Sequence, residues 1–96
     1  MPEDLEVLRS RIQELDSAII RLLGERFAHV RLLGRWKAIE GLPVEDVGRE
    51  AELRALYRSA AEREGLDPTL VLALFEGVHE HSRAEQERQA RRPKSA

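Results

Sequence analysis

A chain of 96 residues without a break in composition makes one domain, at the small end of the size range that a single core can stabilise. It contains no cysteine, which excludes disulfides and thiolate metal sites, so oligomerisation is the expected source of further burial. The formal net charge is -2 and the charges of both signs are interleaved, which argues against a nucleic-acid-binding surface.

No targeting or membrane signal is visible in the sequence. The opening residues MPEDLEVL have no basic segment, and no stretch approaches the roughly 20 apolar residues that a membrane span requires. We therefore expect a cytoplasmic protein with no membrane partner. The basic, proline-containing run ARRPKSA predicts a disordered tail over residues 92–96, after a helical domain of residues 1–91.

The first predicted element is a long amphipathic helix from Leu5 to about Ile39, uninterrupted by proline. Its apolar residues recur at spacings of three and four: Leu5, Leu8, Ile12, Leu15, Ile19, Leu22, Leu23, Val30 and Leu33. At ~1.5 Å per residue this helix is about 50 Å long, longer than a small globule is wide, so it is expected to reach a second chain. Gly24 and Gly34 each weaken it by about 1 kcal/mol relative to alanine, which indicates a kink or close packing.

A second helix follows a short connection. Gly41 and Pro43 end the first helix, because glycine suits a C-terminal cap and proline cannot continue the hydrogen bonding. Asp46 then offers an N-cap carboxylate for a helix that continues to about Glu64 and is ended by Gly65.

The third predicted helix begins at Asp67 and Pro68, a favoured pair of N-cap and first helical residue, and continues to about Ala90. No strand alternation and no repeat is present in the sequence. The fold class is therefore predicted to be all-α, with one long helix and two shorter ones joined by short connections.

Three basic residues of the first helix are candidates for a shared function. Arg26 and Lys37 are eleven residues apart, so they point to within about 20° of each other and lie about 16 Å apart along the axis. Both side chains are long enough to lean toward a common point. Arg9 is rotated by roughly 100° from Arg26 and lies about 25 Å away, so it is expected to serve a pocket of a partner chain.

The later helices carry two more candidate groups. Asp46, Arg49 and Glu50 share one face at the start of the second helix, and Ser82 and Gln86 share one face of the third. The same spacings are typical of helix caps and intrahelical pairs, so spacing alone leaves both interpretations open. The other charged residues, which include Glu85 and Arg88, are interpreted as solvated faces.

The three histidines and the single tryptophan do not indicate a metal or cofactor site. His79 and His81 point in different directions on one helix, and His29 is far from both in sequence, so no metal site is expected. Trp36 is expected to pack in the core or an interface rather than to line a pocket mouth.

Three segments, in order and at consistent separations, resemble the all-helical, type II (AroQ-class) chorismate mutase family: LRSRIQELDSAIIRLLGER, RWKAIEGLPVEDVGRE and LFEGVHEHSRAEQ. The resemblance covers almost the whole chain, from Leu5 to Gln86. It implies an intertwined homodimeric helical bundle in which each long helix helps build both active sites. It also implies a cofactor-free Claisen rearrangement of chorismate to prephenate, in phenylalanine and tyrosine biosynthesis.

The resemblance also implies roles for individual residues. Arg9 from the partner chain and Arg26 match arginines that grip the two substrate carboxylates. Lys37 and Gln86 match the pair that donates hydrogen bonds to the ether oxygen, where negative charge builds in the transition state. Glu50 matches the residue that accepts a hydrogen bond from the ring hydroxyl.

Three further positions match residues around this substrate. Asp46 matches the head of the second helix beside the ring hydroxyl, Arg49 matches a charged residue beside the site, and Ser82 matches a carboxylate contact. Gln86 is a neutral amide that donates a hydrogen bond at any pH, so activity is expected to persist at neutral and mildly alkaline pH.

Three alternative functions and one additional partner stay open. Glu50 would accept a hydrogen bond from an ammonium as well as from a hydroxyl, so a 4-amino-4-deoxychorismate mutase of antibiotic precursor biosynthesis is the first alternative. The residues expected to line the ring region and to tune this choice are Val30, Leu33 and Val47. An isochorismate-pyruvate lyase and a non-catalytic helical dimerisation module are weaker alternatives, since the whole set of site residues is retained. An activating enzyme partner is a further possibility that the family resemblance implies.

Overall fold

The computed structural model of the protein describes residues 4–93, and these residues form three α-helices without a strand. The helices are α1 (Leu5–Glu40), α2 (Val47–Arg63) and α3 (Pro68–Ala90). The all-α, three-helix prediction is confirmed. In this described part of the chain, no helix combines the length and the apolar character needed to cross a membrane. The predicted tail lies partly outside the described residues, so the tail and the domain boundary stay predictions.

The helix ends follow from local capping chemistry. The carboxylate of Asp46 accepts a hydrogen bond from the backbone N–H of Arg49 at 3.0 Å, and that of Asp67 accepts from Thr69 at 2.9 Å, so both predicted N-caps are confirmed. Asp4, which the sequence analysis does not single out, caps α1 in the same way. Gly41 ends α1 in the left-handed conformation with φ of 70°, where a residue with a Cβ would be strained.

The helices form a thin, elongated assembly with little core of its own. The third helix packs against both α1 and α2, whereas within residues 4–93 α1 and α2 do not pack on each other. The principal dimensions are 60 × 30 × 15 Å. Among the described side chains the buried apolar ones are Val30 and Ala61, while the polar Ser82, Gln86 and Gln89 are also buried. A single chain therefore lacks the apolar burial that usually stabilises a domain.

Much of the apolar surface of α1 is exposed in the single chain. No residue of α1 before Val30 is buried, although the amphipathic pattern starts at Leu5. The large apolar residues exposed on α1 are Leu5, Val7, Ile12, Leu15, Ile19, Ile20, Leu22, Leu32, Leu33, Trp36 and Ile39. Trp36 is 55% exposed, so it lies outside the core of the chain. A contiguous apolar face of this length is typical of an interaction surface.

Close packing between α1 and α3 depends on Gly34. A Cβ built on Gly34 would lie 2.8 Å from the Cα and 3.1 Å from the carbonyl oxygen of Gln86, whereas one built on Gly24 meets no atom within 4 Å. The predicted close packing is therefore confirmed at Gly34. Because Gly34 lets the two backbones approach, the side chain of Gln86 starts directly beside α1.

Candidate active site

A hydrogen bond between α1 and α3 holds the guanidinium of Arg26. Its Nη1 donates to Oγ of Ser82 at 2.6 Å, and the Ser82 hydroxyl donates to the carbonyl oxygen of Val78 at 2.7 Å. Ser82 is buried, at 5% exposure. In this arrangement the serine orients Arg26, and its own proton is already used within α3. The other N–H groups of the guanidinium are available to a ligand with carboxylate groups.

Gln86 places a buried amide one helical turn after Ser82. The residue is 6% exposed, and in the described chain its Oε1 has no hydrogen-bond partner. Gln89, which is equally buried, differs because Glu85 and Arg92 hydrogen-bond to its amide. A half-turn about the last side-chain bond exchanges the oxygen and nitrogen of an amide, so the same position can offer a donor. A buried amide oxygen without a protein partner leaves a hydrogen-bonding position for a ligand or an ordered water.

Lys37 is held by the connection between α1 and α2. Its Nζ donates to the carbonyl oxygen of Val44 at 2.8 Å, and its own carbonyl accepts from the N–H of Leu42 at 2.8 Å. An ammonium has three donors, so two stay available after the contact with Val44. The contact with Val44 leaves no signal in residue type and is not predictable from the sequence, because it is made by a backbone carbonyl.

Between α2 and α3, Glu50 is paired with Arg83. The Nη1 of Arg83 lies 2.5 Å from Oε1 of Glu50, and the two side chains are 35% and 20% exposed respectively. Arg83 directly follows Ser82, and successive helix residues are rotated by about 100°, so α3 presents Ser82 to α1 and Arg83 to α2. Arg83 is not predictable as a site residue from the sequence, because no spacing along the chain connects positions 50 and 83.

Three residues predicted for the site have other partners within the described chain. Asp46 caps α2, which is the purely structural role that its spacing also allowed. Arg49 pairs with Glu52 at 3.2 Å, and Arg9 pairs with Glu6 at 3.4 Å. All four of these paired side chains are at least 62% exposed. A role of Arg9 at the cluster therefore requires a second chain.

One charged residue lies in a different environment from the one predicted for it. Glu85 was expected on a solvated face, but its side chain is only 13% exposed, where it pairs with Arg88 and accepts a hydrogen bond from Gln89. The expectation was wrong because Glu85 shares the face of α3 that carries the buried Ser82, Gln86 and Gln89.

An aromatic groove lies between α2 and α3, next to Glu50. It has a volume of about 530 Å³, and Tyr57, Phe75 and His79 are among its lining residues. The rings of Tyr57 and Phe75 stack with centroids 4.1 Å apart, and the Tyr57 hydroxyl shares a hydrogen bond of 2.9 Å with Nε2 of His79. Of the residues singled out for substrate binding, the groove meets Glu50 alone, so it borders the predicted site and does not contain it.

The charged side chains around His79 set the electrostatic potential beside the aromatic groove. Burial lowers the pKa of His79 below 6.5, and the nearby Arg26 lowers it further, as do Arg83 and Arg54 more weakly. Glu50 acts in the opposite direction. The imidazole is therefore neutral at pH 7. Within residues 4–93 no three metal-ligating side chains are grouped so that they could hold an ion.

The arrangement suits recognition of a compact anion rather than nucleophilic chemistry. Arg26 and Lys37 supply fixed cationic donors, Gln86 supplies a neutral amide, and Glu50 supplies an acceptor from α2. Donors held in place before a ligand arrives can stabilise charge that develops during a reaction.

Comparison with known proteins identifies a family. The model of the family described as chorismate mutase type II matches residues 8–87. The T-protein of Enterobacter agglomerans is 37% identical over 71 residues, which cover 74% of this chain and 19% of that protein. The chorismate mutase of Methanocaldococcus jannaschii is 27% identical over 84 residues, which cover 88% of this chain and 85% of that protein. The chain thus spans about a fifth of the T-protein. Since the family model covers α2 completely and nearly all of α1 and α3, the chain belongs to the chorismate mutase type II family.

Proposed function

We propose that the protein is a chorismate mutase, which rearranges chorismate to prephenate in the biosynthesis of phenylalanine and tyrosine. The observation that carries the proposal is the buried, unpartnered amide of Gln86, which lies one turn from the Arg26–Ser82 hydrogen bond. A neutral donor beside a fixed guanidinium suits an uncharged ether oxygen in a dicarboxylate substrate.

The rearrangement needs positioning and electrostatics, not a nucleophile. Chorismate must be held in a compact, chair-like conformer, and negative charge on its ether oxygen must be stabilised as the C–O bond breaks. Lys37 and Gln86 donate to that oxygen, which is more negative in the transition state than in the substrate. Arg26 binds a carboxylate, and Glu50 accepts from the ring hydroxyl. Because a Claisen rearrangement shifts electrons within one molecule, with no net transfer of a proton, an electron or a group, it needs no cofactor.

The remaining residues act at the edges of this site. Asp46 and Arg49 lie at the head of α2, near the end of the pocket that receives the ring hydroxyl. Ser82 orients Arg26, and it reaches a substrate carboxylate only if its hydroxyl rotates away from Val78.

We propose that the active form is an intertwined homodimer, in which Arg9 of each chain completes the pocket of its partner. The long exposed apolar face of α1 and the small core of the single chain support this. The roughly 25 Å between Arg9 and Arg26 along α1 excludes a common pocket within one chain.

The test is the loss of the chorismate diene absorbance with purified protein, run beside 4-amino-4-deoxychorismate and isochorismate under identical conditions. We expect conversion of chorismate to prephenate. Turnover of the amino compound or of isochorismate alone would assign one of the two alternative activities, and no turnover of any of the three would contradict catalysis by the isolated chain.

A second experiment tests the shared sites. Arg9→Ala and Arg26→Ala variants should each be inactive as homodimers, but a mixture should regain part of the activity, because one pocket of each heterodimer has both arginines. If subunits exchange, as a tagged-chain pulldown can establish, and activity does not return, the two arginines do not serve one pocket from two chains.

A further inference from the structure

Arg83 has no role in the proposed reaction, yet it forms an ion pair with Glu50, the residue proposed to meet the substrate ring. Its N–O distance is 2.5 Å, and both side chains are more than half buried, unlike the exposed pair of Arg21 and Glu25 on α1. It joins α2 to α3 across 33 positions of the chain. Such a pair fixes both side chains more firmly than a surface pair does.

The geometry leaves Glu50 able to accept from a substrate. Arg83 contacts Oε1 of Glu50, and a carboxylate has about four acceptor positions over its two oxygens. Oε2 can therefore still accept a hydrogen bond from a ring hydroxyl. Arg83 changes the net charge next to the substrate. Glu50 alone would be negative, whereas the pair of Glu50 and Arg83 is neutral as a whole.

Other charged side chains near Glu50 also disfavour the binding of a cation. Three arginines from three helices, Arg26, Arg54 and Arg83, each lower the pKa of the neighbouring His79, and Glu50 opposes them. The potential at this corner is therefore more favourable to anions and neutral groups than to cations.

We propose that Arg83 makes the site selective for a substrate with a neutral hydroxyl group on its ring, and disfavours one with an ammonium group at the same position. This inference rests on the proposed function and names the substrate class of that site. A lone Glu50 would attract an ammonium strongly, but with Arg83 beside it the ammonium meets a like charge in a partly buried place.

The experiment compares kcat/KM for chorismate and for 4-amino-4-deoxychorismate in the parent protein and in three variants. Arg83→Met keeps an unbranched apolar stem but removes the charge, Arg83→Gln removes the charge with a polar side chain of about the same length as methionine, and Arg83→Lys keeps the charge. Arg21→Met is the matched control, since it removes an arginine from the exposed pair with Glu25.

We expect the parent to prefer chorismate and to have the higher KM for the amino compound. Arg83→Met and Arg83→Gln should raise kcat/KM for the amino compound relative to chorismate by about tenfold or more, because the like-charge contact is gone. The gain should come mostly from KM, since the ammonium is present in both substrate and transition state. Arg83→Lys and Arg21→Met should keep the parent ratio. A merely structural role of Arg83 would instead lower kcat for both substrates alike.

The outcomes separate the two proposals. If the parent turns over neither compound, the proposed function fails and this inference falls with it. If the parent converts chorismate but folded Arg83→Met and Arg83→Gln keep the parent ratio, only the role of Arg83 is overturned. Equal KM values for the two compounds in the parent would overturn it as well, without relying on any variant.

Discussion

Lys37 shows how a contact within the chain orients a single side chain before any ligand arrives. The contact of its ammonium with the Val44 carbonyl uses one donor and fixes the direction of the others. A donor that is already oriented loses less free energy when charge appears in front of it, which is the basis of electrostatic catalysis. The flexible four-carbon stem of lysine would otherwise spread these donors over many directions.

We therefore expect Lys37→Ala to lower kcat by about 100- to 1000-fold, since a donor of this kind contributes about 3 to 4 kcal/mol to the transition state. The rate of chorismate loss measures the effect, and circular dichroism checks that the helices persist. Arg35→Ala, at an exposed position of the same helical turn, is the control and should retain near-parent activity. A near-normal rate in Lys37→Ala would refute the proposed site.

His79 couples the stability of the α2–α3 contact to pH. Its pKa in the folded protein is lowered, so below pH 6.5 the unfolded chain binds more protons than the folded one. Its contribution to stability is complete above pH 6.5 and is lost as the pH falls from 6.5 toward the folded pKa. His79→Gln keeps a polar group near Tyr57 but does not titrate, so the drop in Tm on acidification should be smaller than in the parent.

The measurement is thermal unfolding followed by circular dichroism at about pH 7.5 and about pH 5.5, on either side of the ordinary histidine range. His81→Gln is the control, because it also removes a histidine from α3 but at an exposed position. If the parent and His79→Gln lose the same Tm over this interval, His79 does not govern this pH dependence.

The contact between α1 and α3 depends on one position without a side chain. Alanine at Gly34 would bring its Cβ within 2.8 Å of the Gln86 backbone, so α3 would have to move away from α1. Overpacking of this kind costs about 1 to 3 kcal/mol, and here it displaces the Gln86 amide as well. We expect Gly34→Ala to lower both Tm and kcat, as thermal unfolding and the chorismate assay would measure.

Gly24 provides the matched comparison on the same helix. A Cβ there meets nothing within 4 Å, so Gly24→Ala should show only the gain in helix propensity, up to about 1 kcal/mol of added stability. Should Gly34→Ala prove as stable and active as Gly24→Ala, the close approach of α1 and α3 would not be needed for the site.

Taken as one body, the chain exposes many large apolar side chains, most of them on α1. Leu15 lies in the half of α1 without buried residues and is 63% exposed. An aspartate there would have to enter an apolar interface, which costs several kcal/mol for an unpaired carboxylate. We expect Leu15→Asp to prevent dimerisation and abolish activity, as light scattering after gel filtration and the chorismate assay would measure.

Gln13→Asp is the control for this variant, because it adds the same charge to the same part of α1 at a polar, exposed position. It should remain dimeric and active. A Leu15→Asp protein that is still dimeric would place the interface elsewhere on the molecule.

The sequence predicts those features that depend on near neighbours. The caps at Asp46 and Asp67 and the turn at Gly41 involve residues within a few positions, and they agree with the structure. The contacts between helices are different. Periodicity identifies the faces of Arg26 and Ser82, but not that these two meet across 56 positions.

Arg83 marks the limit of sequence-based prediction in this chain. It is adjacent to Ser82, yet it faces another helix, and its partner Glu50 is 33 positions away. No periodicity within α3 identifies that partner, because the pairing depends on how α2 and α3 pack against each other. The family resemblance selects Glu50 but not the arginine that pairs with it.

The contact between Lys37 and Val44 also constrains how the chain can be re-engineered. Surface connections usually accept insertions and new termini, but the one between α1 and α2 hydrogen-bonds both the backbone and the ammonium of Lys37. Lengthening it would release the ammonium of Lys37, which is a proposed active-site donor. The turn at Gly65 and Leu66 makes no contact of this kind within the described residues, and its backbone hydrogen bonds only end α2. Circular permutants, inserted domains and affinity tags are therefore better placed at the second connection than at the first.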